Sequence, residues 1–204
     1  VDQTYTLGLS LFDFVPPLAF LIAAVYLVRL TALETTPGGS ATMAVGTGLV
    51  FLGGTLKATW KLLYTLGVGD FTLLSEQQFV LLAPGFLLML IASVGIARAR
   101  RSAPEASFAA MAVWKIPLMA VMTISSIGAY GILSVLSFRR RNPIAGVLFV
   151  ATIVLTIGMA GMASGEQSVA RQWIEEGVNS ISQIALAVAS YLMYRTSLAR
   201  VASR

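Results

Sequence analysis

The chain has 204 residues, of which 57% are hydrophobic and 11% charged, with a formal net charge of +5. This is the composition of an integral membrane protein, with room for roughly six spans at about 20 apolar residues each and for no soluble domain. Cysteine and histidine are both absent, which excludes the ligands of most zinc, copper and iron–sulfur sites and any histidine acid/base pair; no metal and no cofactor are expected.

Residues 1–10 are too polar for the charged-then-apolar pattern of a signal peptide, so no cleaved leader is expected. The first span is predicted over 11–30, with Asp13 near its start and Pro16 and Pro17 in its first turns, where early helix amides lack intrahelical partners anyway. A turn-rich loop is expected over 31–42. The second span, about 43–65, carries Gly46, Gly48, Gly53 and Gly54 and then Lys57, Trp60, Lys61 and Tyr64. The third, about 78–97, is interrupted by Pro84 and Gly85 and ends on Arg98. Residues 107–138 are almost continuously apolar, broken by Lys115, Pro117 and a polar, glycine-containing run from Thr123. One long kinked helix is the simpler account of them, and a re-entrant hairpin or a double crossing is the alternative. The fifth span, about 143–163, has Gly158, Gly161 and Gly165 for close helix approach. The sixth, about 170–194, leads into a basic tail.

Short matches at about half the chain length suggest an internal repeat: Pro17 with Pro117, Gly48 with Gly146, and Arg98 with Arg195. They divide the chain into halves 1–102 and 103–204, read as two three-helix units of inverted topology. With six spans the arginine clusters at 98–101 and 139–141 fall on opposite faces, and the positive-inside rule then favours neither orientation. If 105–138 crosses twice or re-enters, nearly all arginines fall on one side with the N-terminus outside. The basic clusters at span ends suit anionic lipid headgroups rather than nucleic acid.

Ionisable groups inside a span are costly enough to be kept chiefly where they work. In the last span Arg171, Glu175, Asn179 and Gln183 recur every four residues, and Glu176 and Ser180 form the neighbouring row. Such a strip suits a hydrated path or polar pocket; the structural alternative is an Arg171–Glu175 pair at the surface with amides bonding across helices. Lys57 and Lys61 also stand four apart. Lys61 is read as reaching the headgroups beside Trp60 and Tyr64, and Lys57 as lying deeper and pairing with a carboxylate. Asp13 is read as a helix-start cap or an ion ligand, and Lys115 as a partner for Glu175, Glu176 or Asp13. Asp70, Glu76, Gln77 and Gln78 read as solvated rim. A Ser/Lys hydrolytic pair could be drawn between Ser125 or Ser126 and Lys57 or Lys115, but no catalytic motif supports it, and enzyme activity is not expected.

The sequence therefore predicts an all-α polytopic bundle of about six spans. Its expected function is a small transporter or channel with a polar path formed by Glu175, Glu176, Asn179, Gln183, Lys57, Lys115, Asp13 and Arg171. The partners it implies are the lipid bilayer, a small solute or ion, and another copy of the chain, and the expected setting is a prokaryotic plasma membrane. A membrane subunit or sensor that docks a partner protein through its intramembrane polar residues is the second reading. It requires the strip to face outward.

Overall fold

The structure, a computed structural model, describes residues 5–98, 115–162 and 168–203, without the side chains of 115–117 and 160–162. Its helices are α1 (Leu7–Phe12), α2 (Val15–Glu34), α3 (Pro37–Thr65), α4 (Thr72–Arg98), α5 (Lys115–Arg139), α6 (Pro143–Met162) and α7 (Val169–Ala202), and no strand occurs among the described residues. The all-α bundle read from the sequence is observed. Leu7–Glu34, Pro37–Thr65, Thr72–Arg98 and Leu118–Arg139 are each long and apolar enough to cross a membrane, as an integral membrane protein requires. Helix α6 is apolar over a shorter stretch, and the polar ladder of α7 lowers its hydropathy.

Proline placement sets two of the helix boundaries. Pro16 and Pro17 offer no amide to the carbonyls of Phe12 and Asp13, so the first span breaks there, and α2 begins at Val15 with both prolines in its first turn. The expected loop over 31–42 is mostly helical instead. Only Thr35 and Thr36 separate α2 from α3, because Pro37 at the start of α3 has no amide that needs a partner. Helix α4 continues through Pro84 without interruption.

From α2 onward each helix packs on its neighbours in sequence, and α7 returns to α2, so that α2 to α7 close into a ring, with α1 set against α3 and α7. Tyr130, Phe149, Leu27, Met89, Leu186 and Met193 are fully buried and belong to a single core. The tightest seam is α3 against α4. A Cβ on Gly46 would stand 2.8 Å from the Gly85 carbonyl oxygen, and one on Gly85 would stand 2.9 Å from that of Gly46. Only glycine permits this approach of two backbones. Gly158, by contrast, has open space around it, contrary to the close helix contact expected there; Gly161 and Gly165 lie outside the described side chains.

Helix directions follow from the contacts. Gly95, near the end of α4, lies beside Thr35, and Arg140, just past α5, pairs with Glu34. Thus α4 and α5 both run toward the end of the bundle that holds the α2–α3 turn. Helix α6 leaves that end and α7 returns to it, where Asn142 donates to Thr196 at 2.9 Å and Arg140 to Ser197 at 2.6 Å. The units α2–α3–α4 and α5–α6–α7 therefore run in the same sense, not inverted as the repeat reading supposed. The chain that joins α4 to α5 lies in 99–114, outside the described residues. It follows that Arg98 and Arg139–Arg141 share one end, in place of the opposite faces that a simple six-span count assigns.

Replacing Gly85 with Leu is expected to destabilise the protein by at least about 2 kcal/mol, because an overpacked seam against backbone cannot relax by a rotamer change. Thermal unfolding in detergent measures this. An unchanged midpoint would contradict the packing described.

Candidate functional site

At the other end of the ring, α1, α3 and α7 bring three charged side chains together. The break in the first span places Asp13 at the C-terminus of α1, next to α3 and α7. Lys61 Nζ ion-pairs with Asp13 Oδ2 and, at 2.9 Å, with Glu176 Oε1. The side chains of Lys61 and Asp13 are 7% and 4% exposed and that of Glu176 is 14% exposed, so the attraction acts with little solvent screening. The Tyr5 ring lies 5.6 Å from the same ammonium and meets Trp60 and Tyr64 edge-on, which covers Lys61 from the bundle's end. Ser10 ties α1 to α3 through Thr65 at 2.6 Å.

Below this triad lies a cavity of about 120 Å³. Asp13, Pro16, Pro17 and Phe20 line it from the first span, Val50, Gly54, Lys57 and Ala58 from α3, Gln78, Leu82 and Phe86 from α4, and Glu176, Asn179 and Gln183 from α7. From Asp13 to Phe20 the wall descends about 10 Å at 1.5 Å per residue. Phe20 meets Phe86 edge-on at 6.5 Å, and Phe86 meets the fully buried Tyr130 at 6.2 Å. These rings close the cavity toward the bundle centre.

Several polar groups in the cavity wall have no hydrogen-bond partner among the described residues. Asp13 Oδ1 and Gln183 Oε1 are buried without a hydrogen bond. Lys57, half-buried, forms no hydrogen bond or ion pair with any described residue. The Gln183 amide donates to Asn179 at the long distance of 3.5 Å, which leaves both amides available to something in the cavity. Buried polar atoms left without partners are rare and mark places where water or a ligand completes the bonding.

Of the residues singled out in the sequence, Asp13, Lys57, Glu176, Asn179 and Gln183 meet in this cavity. Arg171 and Glu175 do not; they pair with each other at 3.3 Å, one turn apart on α7 and partly exposed, which is the structural alternative stated for them. Lys115 begins α5, and its side chain lies outside the described residues. The roles of the two α3 lysines are exchanged. Lys61 holds the carboxylates instead of reaching the headgroups, while Lys57 lines the cavity and forms no salt bridge with a described residue. Trp60 donates to Asp70 at 2.8 Å as an interfacial residue would, but adjacent helix residues point about 100° apart, so its position says nothing of Lys61. Asp13 does not cap the start of a helix: it ends α1 as its C-terminal cap residue, and the turn before α2 has no side-chain cap bond; Gln78 lines the cavity instead of a solvated rim. Ser125 and Ser126 lie on α5, none of whose described side chains lines the cavity.

A second buried pair stands at the opposite end. Arg140, 2% exposed at its side chain, donates to Glu34 at 2.8 Å and to Ser197, while Arg200 donates to the Arg140 carbonyl at 2.7 Å. This ties α2, the α5–α6 turn and α7 together, where the sequence suggested only lipid-facing arginines. Among the described residues no group of histidine, cysteine or carboxylate side chains could hold a metal ion. Comparison with family models, with curated proteins and with solved structures finds no match to this chain.

Lys61→Met is expected to cost about 3–5 kcal/mol, because it leaves two buried carboxylates without their common cation. Arg171→Ala should cost no more than about 1 kcal/mol, the value of a partly exposed pair. Unfolding midpoints of the two variants compare these directly; equal effects would contradict the burial assigned to the triad.

Proposed function

We propose that this protein is a small transporter or channel, in which the cavity between α2, α3, α4 and α7 is the site where a small solute or ion enters and is held. One observation carries the reading: Glu176, Asn179 and Gln183 of α7 turn toward the chain's own interior, where acceptors and a lysine that form no hydrogen bond or salt bridge among the described residues line a cavity. Charge of this kind inside a bundle marks a solute path more readily than a packing device. Docking of a partner protein would instead need Glu176, Asn179 and Gln183 on the outer surface.

The distribution of charge suggests an orientation for this path. Arg29, Arg98, Arg139, Arg140, Arg141, Arg195 and Arg200 gather toward the end with the α2–α3 turn, together with Glu34. The cavity end has Asp13, Asp70, Glu76, Glu175 and Glu176 against Lys57, Lys61 and Arg171. By the positive-inside rule the arginine end is cytoplasmic and the cavity lies toward the outer face. A solute would then meet the Asp13–Lys61–Glu176 triad first, with the aromatic floor and the Arg140–Glu34 tie between it and the cytoplasm.

Proteoliposomes challenged with radiolabelled amino acids, monovalent cations and short carboxylates test the reading. Flux of at least one class is expected, with a loss of tenfold or more in Glu176→Gln and little change in Glu175→Gln, which lies outside the cavity. Absence of flux for every class, or flux indifferent to Glu176→Gln, would remove the proposal.

A further inference from the structure

We infer that the occupant of this cavity is a small zwitterion with a primary ammonium, of the amino-acid type; the inference rests on the cavity being the solute site. Asp13 and Glu176 contribute two negative charges and Lys57 and Lys61 two positive ones, so the site is formally neutral as it stands. A lone cation or anion would leave it charged in a poorly screened interior, and a zwitterion would not.

Lys61 is shared between both carboxylates, so the triad as a whole carries one excess negative charge. Lys57 lies one turn earlier on α3, about 6 Å of rise deeper in the bundle, and makes no salt bridge with a described residue, although the Glu176 and Asp13 charges act on it from a distance. The cavity therefore has a negative pole and a positive pole within the reach of a short molecule. A ligand carboxylate would complete Lys57, with the Asn179 and Gln78 amides nearby as further donors.

The oxygens of the cavity wall that are left bare among the described residues are Asp13 Oδ1 and Gln183 Oε1, both acceptors, and acceptors are completed only by N–H or O–H donors. A primary ammonium brings three such donors. A quaternary ammonium brings none and would leave these oxygens unpaired, at the desolvation cost of a buried polar atom. The volume, about 120 Å³, suits a molecule of few carbons, and the apolar side of the wall, made by Pro16, Pro17, Leu82 and Phe86, suits a short aliphatic part.

Thermal unfolding of the purified protein in detergent tests this with four probes at equal concentration: L-alanine, glycine betaine, propionate and propylammonium. A ligand that binds only the folded state raises the midpoint with concentration, so L-alanine should raise it by several degrees and the other three should not. In Lys57→Met the L-alanine shift should vanish. Gly54→Leu should also abolish it, because a Cβ at Gly54 meets only Pro17 at 3.5 Å, so the longer side chain can enter the cavity without displacing backbone. Equal stabilisation by betaine, or by propionate or propylammonium alone, overturns the zwitterion assignment and leaves the solute path standing. No shift with any probe also overturns it, and only the absence of Glu176-dependent flux would remove the path itself.

Discussion

One ammonium group, that of Lys61, makes the site end of this bundle feasible. Two carboxylates inside a helical ring would repel each other and resist desolvation, and a cation shared between them removes most of both penalties. The shared contact also fixes geometry, since Asp13 comes from the first span, Lys61 from α3 and Glu176 from α7. With these three elements held, the remaining polar groups of α7 have a defined direction, inward. The cavity below the triad is the consequence.

Backbone chemistry prepares the same arrangement. Pro16 and Pro17 interrupt the first span, so that Asp13 sits at a break and not within a continuous helix. Gly46 and Gly85 bring α3 and α4 into backbone contact, while about two turns along α3 from Gly46, Gly54 leaves room beside Pro17. The closed seam and the open cavity belong to the same pair of helices. At the far end, Arg140 repeats the device of a buried cation holding several helices, here through Glu34, Ser197 and Arg200.

Much of this was legible in the sequence. Hydropathy located the helices to within a few residues over α6 and at the N-terminus of α7, and the four-residue spacing on α7 put Asn179 and Gln183 on one line. Periodicity also paired Arg171 with Glu175, correctly as a structural alternative, although it could not say that Glu176, one residue on, would be the inward carboxylate. The exchange of Lys57 and Lys61 was beyond reach for the same reason: which lysine meets an acid depends on how α3 is rotated against α1 and α7, which is a property of tertiary packing. Arginine counts failed to give orientation because they were combined with an assumed alternation of spans. Once Gly95 and Arg140 are both found beside the α2–α3 turn, the same residues fall on one side. Gln78 gave no signal, since a glutamine in the first turns of a helix reads as solvated wherever it points.

The central claim is that the α7 strip lines a polar space while the opposite face of that helix meets lipid. The absence of native cysteine permits a direct measurement, namely the reaction of single introduced cysteines with a small, charged, membrane-impermeant thiol reagent in sealed vesicles. Asn179→Cys should react and Ile181→Cys, whose native side chain is exposed on the outside of the bundle, should not. Reaction at position 181 with protection at 179 would contradict the account.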